Sequence, residues 1–184
     1  MKNIIVIVSF LFILSLSACS QSTNENKGQW IKESEKVEDT ADHKAVNGFG
    51  AYLIVVKNPD EFIKEWLKPE KPNFNTVKTV KPNEKIGIVV LFAGCRPDSN
   101  GICNTEVDYI LNRPDGTNLF NQKGLEVWKN IAPPKANTHL GKAIIKLEML
   151  KTNPMGEYKV KAKVYDKNAD ISFELETQFT LEAK

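Results

Sequence analysis

The sequence predicts an all-β fold, an antiparallel sandwich with one short helix. Three observations carry this expectation. Residues 86–93, Ile-Gly-Ile-Val-Val-Leu-Phe-Ala, are an apolar, largely β-branched run of strand length. Residues 105–112 and two long stretches between 143 and 181 alternate apolar and polar positions with period two. Turn-forming clusters separate them: Pro114-Asp115-Gly116, Asn153-Pro154-Met155-Gly156 and the polar residues from Asp166 to Asp170. Short alternating strands punctuated in this way form sandwiches.

The chain opens on a leader. Met1-Lys2-Asn3 is a short basic region, and Ile4 to Leu14 is an apolar stretch broken only by Ser9. It is short for a membrane span and reads as a secretory signal. Its end, Leu16-Ser17-Ala18-Cys19, resembles the bacterial lipobox. That resemblance implies cleavage after residue 18, a diacylglyceryl thioether on Cys19, and acylation, as with palmitate, of the new amine. More than one acyl chain anchors a protein stably where a single chain is marginal. Ser20, in place of an aspartate, implies the outer membrane in a two-membrane cell. The expected location is that membrane's periplasmic side, with the cell surface as the alternative. Residues 19–47 are polar and carry few large apolar side chains beyond Trp30, Ile31 and Val37. Such a stretch reads as a lipidated flexible tether with a reach of roughly 30 Å. Trp30-Ile31 is either a membrane-interface contact or a docking contact.

The folded domain is expected over 48–184, long enough to stand without disulfide support. Phe49 to Val56 is its first strand. Asn58 then sits as a helix cap, Pro59 at the first helical position, and Asp60 and Glu61 in the first turn. Phe62, Ile63, Trp66 and Leu67 share one side of that helix and read as core. Lys68-Pro69 ends it. A loop with Pro72 and Asn73 and a short strand at Thr76 to Val80 lead to the 86–93 run. That run is apolar on both faces, as a central strand covered on both sides should be.

Cys95 and Cys103 flank the loop that follows. An exported chain meets an oxidising compartment, so the two are expected to pair and pin the loop. Two cysteines are too few for a structural zinc site, and the spacing is not that of a thioredoxin-like motif. Val107, Tyr109 and Leu111 face inward on the next strand, and a short strand is expected at Leu119-Phe120. Residues 122–139 look irregular, with Pro133-Pro134 excluding regular structure there. Trp128, in that stretch, is either a core anchor or a recognition residue. Ala143, Ile145, Leu147 and Met149 share a strand face. Tyr158, Val160, Ala162 and Val164 face inward on the next strand, and Phe173, Leu175, Phe179 and Leu181 on the last. If Val164 sits opposite Phe173, then Lys163 meets Glu174 and Lys161 meets Glu176.

The segment from Asn153 to Val160, Asn-Pro-Met-Gly-Glu-Tyr-Lys-Val, resembles the approach to the penultimate strand of immunoglobulin-like domains. There a tyrosine near the strand start bonds back to the preceding corner, and Tyr158 takes that place. Val160 stands where antibody domains carry their second cysteine, so the inter-sheet disulfide is not expected. The whole chain is similar to small bacterial lipoproteins with one such domain, a resemblance that supplies no activity.

A formal net charge of +2 is not that of a nucleic-acid binder, which concentrates basic residues. The two histidines, His43 and His139, are not matched to any Gly-x-Ser-x-Gly serine. The acidic residues from Asp98 to Asp108 invite a calcium reading, but Arg96 falls where an EF-hand needs its first acidic ligand. No phosphate-binding glycine loop or haem motif is present. No cofactor, metal or catalytic residue is therefore assigned. The expectation is a lipid-anchored binding or scaffolding module with an envelope protein as partner. Its candidate binding edge is formed by the loops at Cys95 to Cys103 and Trp128 to His139, with Arg96 and Trp128 as candidate contacts. The alternatives are a metal- or small-ligand-binding envelope protein, a surface adhesin, or an envelope enzyme.

Overall fold

A computed structural model describes residues 30–32, 35–69, 76–135 and 137–183. The leader, Cys19 and the tether to residue 29 lie outside the described residues, as do Pro72 and Asn73. Strands β1 (Trp30–Lys32) and β2 (Glu35–Val37) pair with each other as a separate antiparallel ribbon.

Two five-stranded sheets make the body. The first contains β3 (His43–Val46), β4 (Phe49–Lys57), β6 (Lys85–Ala93), β9 (His139–Leu140) and β10 (Ile145–Glu148). Its order is β10-β6-β4-β3, with β9 also pairing with β6. The second contains β5 (Thr79–Val80), β7 (Thr105–Asn112), β8 (Asn118–Trp128), β11 (Gly156–Asp166) and β12 (Ile171–Leu181), in the order β5-β12-β11-β7-β8. All pairings in the two sheets are antiparallel except the two-residue parallel contact of β5 with β12. The run β8-β7-β11-β12 has the connectivity of an immunoglobulin C′-C-F-G sheet, and β4-β6-β10 that of A-B-E. The chain changes sheets on either side of β5, between β6 and β7, between β8 and β9, and between β10 and β11. Among the described residues, the fold is an Ig-like antiparallel β-sandwich with one short helix.

The last hairpin follows directly from sequence alternation. Val164 lies opposite Phe173, Lys163 opposite Glu174 and Lys161 opposite Glu176. Lys161 Nζ is 3.6 Å from the Glu176 carboxylate, an exposed pair worth only tenths of a kcal/mol (~0.2–1). The Tyr158 hydroxyl donates to the Pro154 carbonyl at 2.8 Å, and its ring stacks on Phe179 at 5.2 Å. The buried aromatic of β7 is Tyr109, whose hydroxyl donates to the Ala143 carbonyl at 3.0 Å. Burial pushes this phenol well above its usual range, so it stays a neutral donor tying the sheets together.

Strand β6 is buried on both faces, and a different layer covers each. Ile86, Ile88, Val90 and Phe92 point into the core between the sheets. Val89 and Leu91 point outward and join Ile54, Val56 and Phe62 beneath helix α1 (Pro59–Trp66). Gly87 makes that docking possible, because a Cβ there would lie 2.8 Å from the Pro59 Cβ. The helix departs from expectation at both ends. Asn58 occupies the cap position in a left-handed conformation (φ 45°) with no side-chain cap bond, and its amide reaches Glu61 at 3.3 Å instead. Leu67 is 77% exposed, because the helix closes at Trp66 and its apolar stripe ends one residue early.

Two further boundaries are corrected. Residues 39–46, expected in the tether, belong to the sandwich. Ala45 is buried in β3, the Asp42 carbonyl accepts from Leu53 N–H, and the Ala41 carbonyl accepts from Glu176 N–H. Backbone pairing holds this segment, which explains why its polar composition concealed it. Residues 122–128, expected to be irregular, complete the eleven-residue β8. As an edge strand β8 is exposed along much of its length and need not alternate. Its register with β7 shifts near Asp108, whose carboxylate accepts Gly124 N–H at 2.7 Å.

Candidate functional site

Four connections gather at one end of the sandwich. They are the β3–β4 turn at Asn47-Gly48, the cysteine loop after β6, the 129–138 loop after β8, and the β11–β12 turn. The two loops singled out from sequence thus lie side by side, joined by backbone. Ile102 and Ile131 form an isolated bridge, Cys103 N–H donates to the Asn130 carbonyl, and Ala132 N–H donates to the Gly101 carbonyl. The Cys95 and Cys103 sulfurs are bonded, with Cα atoms 6.0 Å apart. Both cysteines are buried in the main core, so the bridge fastens the loop base to the sandwich interior.

The cysteine loop is also clamped by the β11–β12 turn. Asp166 is 1% exposed, and its carboxylate accepts from Arg96 N–H at 2.7 Å, Asn168 N–H at 3.2 Å and Ala169 N–H at 3.3 Å. Burial nevertheless holds its pKa above the usual carboxylate value, with these donors pulling the other way. The Asn168 amide donates to both the Arg96 and Ile102 carbonyls, at 3.0 and 2.8 Å. In the sequence Asp166 and Asn168 read only as parts of a hairpin turn, since their partners lie 66 or more residues away. Asn47-Gly48 was the more legible omission. Both residues have positive φ, and asparagine-glycine is the strongest short hairpin signal.

Arg96 projects from this platform with an exposed side chain that makes no ion pair among the described residues. Trp128 is partly buried. Its ring lies 5.7 Å from Phe92 and 6.3 Å from His139, and its Nε1 donates to the Ile131 carbonyl at 3.0 Å. His139 Nε2 bonds to the Pro134 carbonyl at 3.0 Å. These two aromatic side chains hold the 129–135 loop against the first sheet. A cleft of about 170 Å³ opens between the turns, lined by Asn47, Gly48, Gly94, Arg96, Lys135, Asp166, Ala169 and Ile171.

The acidic residues between 98 and 108 do not converge. The Asp98 carboxylate accepts the N–H groups of Asn100 and Ile102 at 2.8 and 2.9 Å, as in an Asx turn. Asp108 lies on β7 and accepts from Gly124 N–H and the Tyr165 hydroxyl, the latter at 2.8 Å. Among the described residues, no three His, Cys, Asp or Glu side chains come together as a metal cluster. His43 Nδ1 lies 2.7 Å from the Thr40 hydroxyl and 3.3 Å from the Asp42 carboxylate, all within one local turn.

No protein-family model matches the chain, and no curated protein matches it. Solved structures show distant likeness. A Pseudomonas fluorescens alkylpurine DNA glycosylase, bound to DNA containing an abasic site analog, is 13% identical with a TM-score of 0.40; the match covers 72% of this chain and 30% of that one. A family 123 glycoside hydrolase from Clostridium perfringens is 9% identical with a TM-score of 0.40, over 74% of this chain and 27% of that one. The CARDB domain of a Pyrococcus furiosus protein, in complex with di-metal ions, is 13% identical with a TM-score of 0.37, over 80% of this chain and all of that domain. The chain therefore spans less than a third of the first two proteins.

Proposed function

We propose that the protein is a lipid-anchored binding or scaffolding module of the bacterial envelope, and that the loop end of its sandwich engages a protein partner. The anchor in this reading is Cys19, joined through a polar tether to the sandwich, at the periplasmic face of the outer membrane. The observation that carries the binding role is the gathering of four connections from both sheets at one end. Asp166, Asn168 and the disulfide clamp them into a prebuilt surface. Preorganisation lowers the ordering cost that loops otherwise incur on binding. Arg96 is the contact residue in this reading, and Trp128 acts through the loop it holds in place.

In-cell crosslinking of the anchored protein, followed by capture and mass spectrometry, tests the proposal. One recurrent partner at near-stoichiometric yield, lost on Arg96→Ala, is the expected outcome. Capture of abundant background proteins alone would overturn it.

A further inference from the structure

The cleft at the loop end has a specific charge arrangement. Two cationic side chains, Arg96 from the cysteine loop and Lys135 from the 129–135 segment, line it, and both residues are exposed. Neither makes an ion pair among the described residues, a trait shared with other exposed lysines such as Lys123 and Lys151, whereas Lys57, Lys68, Lys142, Lys146, Lys159, Lys161 and Lys167 do. The one carboxylate in the wall, Asp166, is buried and accepts three backbone N–H groups, and the Arg96 charge also favours its ionised form from beyond ion-pair distance.

Backbone fixes the opposite wall. Gly94 has φ +73°, and a Cβ on it would fall 1.9 Å from the Gly48 carbonyl oxygen, so the β3–β4 turn lies directly against the loop carrying Arg96. On the other side, the His139 bond to Pro134 and the Asn137 N–H bond to the same carbonyl hold the chain on both sides of Lys135. Both cations thus stand on braced backbone at a cleft of about 170 Å³. That is below the roughly 300–1,000 Å³ of sites that enclose a cofactor or drug-sized molecule. It suits a single anionic group. A guanidinium fork and an ammonium lining one cleft supply donors for the two oxygens of a carboxylate.

We infer that this cleft takes the side-chain carboxylate of an acidic segment of the protein partner, with Arg96 and Lys135 as its two ligating cations. The inference rests on the binding-module reading and adds the chemistry of what is recognised.

The test uses the full chain in detergent and a fluorescein-labelled peptide of alternating glutamate and serine, read by anisotropy at low ionic strength. The same peptide with glutamine for glutamate is the neutral control. The glutamate peptide should bind at least about tenfold more tightly than the glutamine one. Arg96→Ala with Lys135→Ala should lose about tenfold or more, as expected for removing charge-assisted hydrogen bonds. Lys123→Ala with Lys151→Ala removes the same charge from exposed positions outside the cleft and should change binding less than about twofold, the size of a screened long-range effect. Equal binding of the two peptides, or equal loss in both double variants, overturns the inference. So does stronger displacement by inorganic phosphate than by acetate, which would make this a phosphate site. If the Arg96, Lys135 double variant still captures the same partner in cells, the carboxylate assignment fails and the adapter reading stands. If the glutamate peptide binds as expected but no partner is captured, the site stands and the adapter reading fails.

Discussion

Replacing Gly87 by alanine tests how the helix is fitted to the sheet. The added methyl carbon would sit 2.8 Å from the Pro59 Cβ and 3.2 Å from Val56 Cγ2. Carbon atoms in contact prefer about 3.5–4.0 Å, so roughly 0.7–1.2 Å of displacement is needed against Pro59. The proline ring cannot rotate away, and Val56 is itself 1% exposed in the outer cluster. The first turn of the helix must therefore lift, loosening Phe62 over Val89 and Leu91, or β6 must bend between two paired neighbours. Overpacking of this kind costs about 1–3 kcal/mol. Restricting the unfolded chain returns about 0.4–1 kcal/mol, so from the middle of both ranges the net loss is about 1–2 kcal/mol. With a urea m-value of about 2 kcal/mol per molar, the unfolding midpoint should fall by about 0.5–1 M at unchanged slope. Pro59→Gly removes the opposing Cβ, and in that background Gly87→Ala should cost measurably less, which a double-mutant cycle reads directly. A midpoint at or above that of the natural chain, or an equal cost in both backgrounds, would refute the packing argument.

Two other expectations concern the loop end. Asp166 titrates above its ordinary value near 3.8 because of burial, so between that value and its raised one the folded state holds more proton than the unfolded state. Its contribution to stability is therefore full below about pH 3.8 and falls as pH rises through the raised value, by at most about 1.4 kcal/mol per pH unit. Measured against Asp166→Asn, the stability difference should shrink across that window and level off above it; a flat or rising difference would remove the burial argument. Replacing Cys95 and Cys103 together by serine should lower stability by about 2.5 kcal/mol on the chain-entropy account while the sheet signal in circular dichroism persists. Complete loss of folded signal in that variant would make the bridge a condition of folding.

Much of the fold was legible because buried strands leave a period in the sequence. The alternation from Tyr158 to Leu181 specified both strands, their inward faces and the lysine–glutamate register, since slipping by one residue would turn every apolar side chain to solvent. The wholly apolar 86–93 run likewise announced a strand with no exposed face. Where burial does not constrain the side chains, legibility fails. Strand β8 lies at an edge, with Gln122, Lys123 and Gly124 exposed, so nothing in its composition marks it as a strand. Strand β3 is held by backbone pairing and one buried alanine, and its signal lay in the Asn47-Gly48 turn.

By itself, the sequence determined the sandwich class, the central strand and the turn positions, because each depends on local periodicity or on turn chemistry. It also supplied the resemblance to a lipid-attachment signal at Cys19. Tertiary structure alone decided that helix α1 covers the outer face of β6, through a glycine whose partner is a proline 28 positions earlier. It alone decided that Asp166 and Asn168 clamp the cysteine loop and that Arg96 and Lys135 stand at one cleft. The physical reason is common to all of these. A hydrogen bond or close contact between distant residues depends on how the strands are ordered in space, and no local pattern of residue types records that order.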